Sequence, residues 1–319
     1  MPVYTWINTY LEKWGSKNIQ YDADLDSVID IAAVPTIPRV ATKIVAASNS
    51  KDTSRADYVC DGSEDELTIE SALSDLPSGG GMVLLLEGTY YISDSIDIPK
   101  SFTVLTGVGW STKLYLVDGS DCNVINVSGG DDNTFICNLQ IDGNKDNQTA
   151  GYGISISGSA LNKNNLSGVL LCYIHHCYGY GINLNYANRG LIFGNQLQYN
   201  NMGLRIVNGD AYRIIANRCM NSADSGIFLS AANECNLIGN TCNSNGGDGI
   251  ELAGADYSII IGNRANNNSG YGLSIDANSD NNLVGKNYLS GNTTGSINDS
   301  GVGTILGVAD TTNNIDNVV

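Results

Sequence analysis

From about residue 150 to 295 the chain repeats one apolar pattern roughly every 23 residues. A Gly followed by apolar-x-apolar returns at Gly181, Gly203, Gly226, Gly249 and Gly272, and an Asn returns in step at Asn195, Asn217, Asn240, Asn263 and Asn287. The pairs Ile182/Leu184, Leu204/Ile206, Ile227/Leu229, Ile250/Leu252 and Leu273/Ile275 alternate strictly, which predicts strands with one buried face. A second apolar column stands three residues before each Asn (Ile192, Ile214, Leu237, Ile260), and a third stands two after it (Leu197, Cys219, Cys242, Ala265, Leu289). No unit has helical period. A unit this short cannot bury its own apolar face, so units must stack. Three short strands per turn predict an all-β fold: a single-stranded right-handed parallel β-helix, with rungs about 4.8 Å apart.

The Asn column reads as structural. Asn suits the turn between strands, because it tolerates the left-handed conformation and bonds its own backbone. Amides stacked one rung apart can also bond each other in a ladder. A second such column is Asn200, Ser222, Asn245, Asn268 and Asn292. Upstream, Ser63-Glu64-Asp65-Glu66 reads as a capping box, which predicts a helix over 64–76 that closes the open first rung. Strands are expected at Met82–Leu86, Tyr90–Ile92, Ile96–Ile98 and Val104–Leu105. Residues 1–50 read as an attachment segment. An amphipathic helix is expected over Met1–Gly15, then Asp22, Asp24, Asp26 and Asp30, then a linker holding Pro35 and Pro38. The rod is assigned to 51–319.

Several stretches resemble the opening and the rungs of pectate-lyase-like β-helix proteins. They are Ala56-Asp57-Tyr58-Val59-Cys60-Asp61-Gly62, Leu76-Pro77-Ser78-Gly79-Gly80-Gly81, Leu86-Glu87-Gly88-Thr89-Tyr90 and Leu139-Gln140-Ile141-Asp142-Gly143-Asn144. The resemblance covers about residues 50–300. It implies the fold, and a group that holds virion tail proteins and microbial surface proteins beside polysaccharide lyases, hydrolases and epimerases. It does not choose among them. The ordered motifs of polygalacturonases and the Asp-Pro-His of alginate epimerases are missing from this chain.

Charge narrows the partners. With 16 Lys and Arg against 33 Asp and Glu, the net charge is −17. That excludes a nucleic-acid partner. A polyuronate would bind only at a local basic patch or through cations, so Ca²⁺ is the one cofactor left open and no metal site is assigned. No apolar run is long enough to cross a bilayer, and no secretory signal opens the sequence. The eight cysteines form no CxxC pair and fall largely at inward positions. They read as free thiols of a protein made in a reducing compartment.

Three candidate surfaces follow from the repeat. Glu251 and Asp276, with Asp248 nearby, are an outward carboxylate group at a separation suited to glycoside hydrolysis. Arg205, Phe228 and Glu251 are candidate glycan contacts. Phe193, Ile215, Ile238 and Ile261 stand next to the inward column, so alternation turns them outward. That apolar stripe suits self-association, as in a trimer. The only two histidines, His175 and His176, are adjacent. Neighbours in a strand point to opposite faces, so at most one is expected in any single site. The leading function is a structural or adhesive rod on a virion or cell surface that touches glycans. The competing one is a polysaccharide lyase or glycoside hydrolase.

Overall fold

The computed structural model describes residues 42–307 and the backbone of Asn317–Val318. The features expected within residues 1–41 lie outside the described residues. From Thr42 onward the chain is a parallel β-solenoid of about 10 turns. Its strands form three long parallel ladders of twelve, seven and nine strands. One turn illustrates the path. Gly168–Leu170 lies in the twelve-stranded sheet, Tyr173–His175 in the seven-stranded sheet and Ile182–Asn185 in the nine-stranded sheet, before Leu191–Phe193 rejoins the first.

The observed register is the one the repeat implies. Ile192, Ile214, Leu237 and Ile260 are paired rung to rung in the twelve-stranded sheet, and all are fully buried. Leu197, Cys219 and Cys242 do the same in the seven-stranded sheet, and Leu204/Ile206 through Leu273/Ile275 in the nine-stranded one. A branched aliphatic side chain buried in this way contributes about 1.5–3 kcal/mol. Stacking identical positions therefore makes one continuous core.

The Asn columns form ladders. Asn195, Asn217, Asn240 and Asn263 each donate from Nδ2 to the Oδ1 of the next Asn at 3.0 Å, ending on Asn287. These residues are not the left-handed ones, however. The positive φ falls one residue earlier, at Gly194, Ala216, Gly239, Gly262 and Lys286. That residue makes the bend, and the Asn after it points inward to bond the turn. The second column behaves alike, with positive φ at Tyr199, Asn221, Ser244, Asn267 and Gly291.

At the N-terminal end a helix spans Asp65–Ser74 and buries Ile69, Ala72 and Leu73 over the first rung. The capping box does not form. Glu64 occupies the cap in the left-handed region without a side-chain bond. The carboxylates of Asp65 and Glu66 instead reach the solenoid, accepting from Tyr91 N–H (2.8 Å) and Ser93 Oγ (2.7 Å). The acidic residues pin the lid to the rod, and Asp65 Oδ1 also accepts the Gly62 N–H at 2.9 Å just before the helix. The strand Thr42–Ala46 pairs in parallel with Gly81–Leu85, so the sheet begins before residue 51. The early strands Gly81–Leu85, Gly88–Ile92, Ile96–Ile98 and Thr103–Thr106 lie where alternation put them, within a residue or two.

All eight cysteines are free, and six of them are buried. Among the described residues no helix is long and apolar enough to cross a membrane.

Candidate functional site

Each short strand of the seven-stranded sheet buries its middle residue and turns its two flanks outward. Successive rungs therefore display Lys113 and Tyr115, Gln140 and Asp142, Tyr173 and His175, Gln196 and Gln198, then Arg218 and Met220. On this face Lys113 Nζ lies 2.7 Å from Asp142 Oδ2, and His175 Nδ1 lies 3.8 Å from Asp142 Oδ1. The other ring nitrogen of His175 is 2.8 Å from Gln140 Nε2.

His176 joins the same site. Its Nδ1 is 2.7 Å from His175 Nδ1, with the rings edge to face. Strict alternation forbids this arrangement, and the expectation that only one histidine could join a site is corrected here. The reason is backbone conformation. His176 has φ +51° and occupies the bend position held one rung on by Tyr199 and then by Asn221. A left-handed residue reverses the strand's alternation and turns its side chain back beside its neighbour's.

Aromatic rings wall the cluster. Tyr173 packs on His175 at 4.4 Å, Trp110 packs on Tyr173 at 5.2 Å, and Tyr199 stacks on His176 at 5.2 Å and 6°. Burial pushes His175 down to about 4, so its imidazole is neutral near pH 7. Burial acts to raise the Asp142 carboxyl, but the hydrogen bond and charge of the Lys113 ammonium outweigh it and hold the group below its usual range.

Around the next corner lies a groove of about 670 Å³, lined by Lys145, Tyr152, Tyr178, Tyr180, Asn200 and Asn201 among others. Tyr152 and Tyr180 stack nearly parallel, with centroids 4.8 Å apart. Arg205 lies with its guanidinium 5.2 Å from the Tyr180 ring and donates to Asn183 Oδ1 at 2.9 Å. Lys145 Nζ donates to the Tyr199 carbonyl at 3.1 Å, which ties the groove to the histidine face.

The residues singled out from the repeat fall as follows. Arg205, Phe228 and Glu251 occupy one column on successive rungs of the nine-stranded sheet. Glu251 accepts from Ser225 Oγ at 2.7 Å, and burial raises its carboxyl. Burial also raises Asp248, which accepts the Tyr271 N–H. Asp276 lies just past its strand and serves a turn, accepting from Gly254 N–H, Asn278 N–H and Ser279 Oγ. Burial acts to raise Asp276, but these bonds outweigh it and leave its carboxyl low. Phe193, Ile215, Ile238 and Ile261 are register partners down the outer face of the twelve-stranded sheet. Phe193 and Ile238 are exposed, and Ile215 and Ile261 are half-buried. The histidine cluster was the site that sequence reasoning passed over. Its signal was present, because His176 stands in register with Tyr199, one residue before the second Asn column.

Residues 116–315 match the family described as "Periplasmic copper-binding protein (NosD)". The chain belongs to the NosD family. No curated protein sequence matches it closely enough to count as a relative. Among solved structures this NosD-family chain is similar to Geobacillus virus E2 ORF18, at 18% identity and a TM-score of 0.59, over 77% of this chain and 60% of that one. It is similar to pectate lyase Pel9A at 16% identity and a TM-score of 0.54, over 78% and 70%. It is also similar to the enzymatically active domain of bacteriophage CBA120 tailspike protein 2, at 16% and 0.51, over 69% and 40%. The chain thus spans about three-fifths of the viral protein. These likenesses establish the pectate-lyase-like β-helix fold. One donor set among the described residues is suited to a metal ion. Asp142, His175 and His176 offer a carboxylate oxygen and two imidazole nitrogens, all within 4.8 Å of one another. First-row divalent metals accept such a set.

Proposed function

We propose that this NosD-family chain is a surface- or virion-associated β-helical rod that binds a polysaccharide along the groove beside Tyr152 and Tyr180. The observation that carries the reading is the groove of about 670 Å³ with a stacked tyrosine pair on its wall and Arg205 against it. The stacked rings offer their edges and hydroxyls as an amphipathic wall for a sugar ring. Asn200, Asn201 and Lys145 at the rim offer donors to its hydroxyls. The net charge of −17 disfavours a polyanion at large, so the glycan is neutral or sparsely charged, its occasional carboxylates met by Lys145 and Arg205. The names of the structural neighbours, a pectate lyase and a phage tailspike domain, support a polysaccharide partner.

The rod is further proposed to pack beside a second copy through Phe193, Ile215, Ile238 and Ile261, as in a trimer. That column carries no charge, so it is where two acidic rods would repel least. Residues 1–50 would supply the docking to a larger structure.

The test is isothermal titration against a panel of neutral and uronate-containing polysaccharides. Saturable binding that weakens at least about tenfold in Tyr180→Ala and Arg205→Ala is expected, since each removes a stacking or charged contact worth about 1–2 kcal/mol. Binding unchanged in both variants would sink the groove. Release of reducing ends or of unsaturated uronate from the panel would establish the competing reading, a hydrolase or lyase. In that case the raised carboxyl of Glu251 is the first candidate acid.

A further inference from the structure

We infer that Asp142, His175 and His176 form a site for a divalent first-row metal. The NosD description names copper but assigns no residue, and no cation site follows from the glycan groove.

The argument is geometric. His175 Nδ1 and His176 Nδ1 face each other at 2.7 Å. Asp142 Oδ1 lies 3.8 Å from His175 Nδ1, and all three donors lie within 4.8 Å of one another, close enough to share one ion.

The surroundings hold these donors in place. Asp142 gives its other oxygen, Oδ2, to Lys113, and its Oδ1 accepts the Asn144 N–H at 3.2 Å, which together orient the carboxylate. Tyr173 and Tyr199 pack one histidine ring each and limit their rotation. His176 is held at φ +51°, a conformation uncommon for histidine, by the bend column it belongs to.

The test exploits composition, since the chain has only two histidines and both are in this contact. Untagged full-length protein is titrated with Cu(II), read by equilibrium dialysis and electron paramagnetic resonance, with redox-inert Ni(II) in parallel. One Cu(II) per chain is expected, with an axial spectrum and coupling to two imidazole nitrogens. His176→Asn should abolish that coupling and weaken binding at least about 100-fold without unfolding, because Asn already occupies the same bend at Asn221 and Asn267. Lys113→Met should weaken binding about 10–100-fold, as loss of an orienting partner does. The site is overturned by an absence of stoichiometric binding, or by His176→Asn binding as the wild type does. A spectrum lacking two-nitrogen coupling overturns it equally. Each readout is made without glycan, so a failed polysaccharide titration leaves the result intact.

Discussion

Replacing Asn240 by Ala tests whether the amide ladder, and not only the apolar core, holds the rungs together. Asn240 is essentially fully buried. Its Oδ1 accepts from both the backbone N–H and the Nδ2 of Asn217, each at 3.0 Å. Its Nδ2 donates to the Ile214 carbonyl at 2.7 Å and to Asn263 Oδ1 at 3.0 Å. The four partners do not suffer equally. Asn217 Nδ2 still reaches the Ile192 carbonyl, and Asn263 Oδ1 still receives the Asn240 N–H. The buried Asn217 N–H loses its acceptor outright. Counting about 1 kcal/mol for each of three weakened groups and about 1–3 kcal/mol for the orphaned donor gives about 4–6 kcal/mol. Guanidinium unfolding followed by circular dichroism measures the total, and hydrogen exchange at the Asn217 amide reports the local event. Leu237→Ala, three residues away in the same rung, is the calibrating variant at about 2–5 kcal/mol. A loss under about 1 kcal/mol in Asn240→Ala, with the Asn217 amide still protected, would refute the reasoning. Water would then replace the amide at little cost, and the ladder would be incidental to stability.

Three further outcomes are expected. Ile238→Glu should yield a folded monomer from an associating wild type by light scattering, since Ile238 is exposed within the apolar column. A wild-type monomer would remove the side-by-side assembly, and an unfolded variant would place the column inside the fold. Glu251→Gln should raise the melting temperature at pH 7 and lose that advantage as the pH approaches 4. Burial lifts the folded-state carboxyl above its unfolded value, so the folded state binds the proton more tightly, and the wild type regains stability as pH falls through the folded value; an advantage that grows on acidification would contradict this. Removal of residues 1–41 should leave the β-type circular dichroism intact. Removal through residue 50 should not, because it deletes the strand Thr42–Ala46 from the twelve-stranded sheet; equal spectra from both truncations would show that strand to be dispensable.

The sequence determined the rung, its register and its core. A regular 22–24-residue spacing leaves one way to stack the Gly-apolar-x-apolar units, and a one-residue slip would bring every buried Ile and Leu to the surface. The placement of Phe193 and Ile238 outside and Leu237 inside follows from alternation alone. The alternation rule failed where the backbone leaves the extended region. His176 adopts a left-handed bend, and a reading by period 2 put it on the wrong side of His175. The same limit applied to the Asn columns, where the bend belongs to the preceding residue, and to Asp65 and Glu66, whose carboxylates reach Tyr91 and Ser93 of the solenoid.

Only the tertiary structure assembled the histidine face, and the physical reason is uneven rung length. Lys113 pairs with Gln140 across 27 residues, Gln140 with Tyr173 across 33, and Tyr173 with Gln196 across 23. Insertions such as the Lys145–Asn147 turn break the period in that stretch, so the neighbours of Tyr173 and His175 cannot be counted off along the chain. Backbone pairing absorbs the extra residues in loops and restores the 4.8 Å rung spacing within the sheet. A lysine, a carboxylate and two imidazoles scattered over 64 residues thus come to stand on one surface.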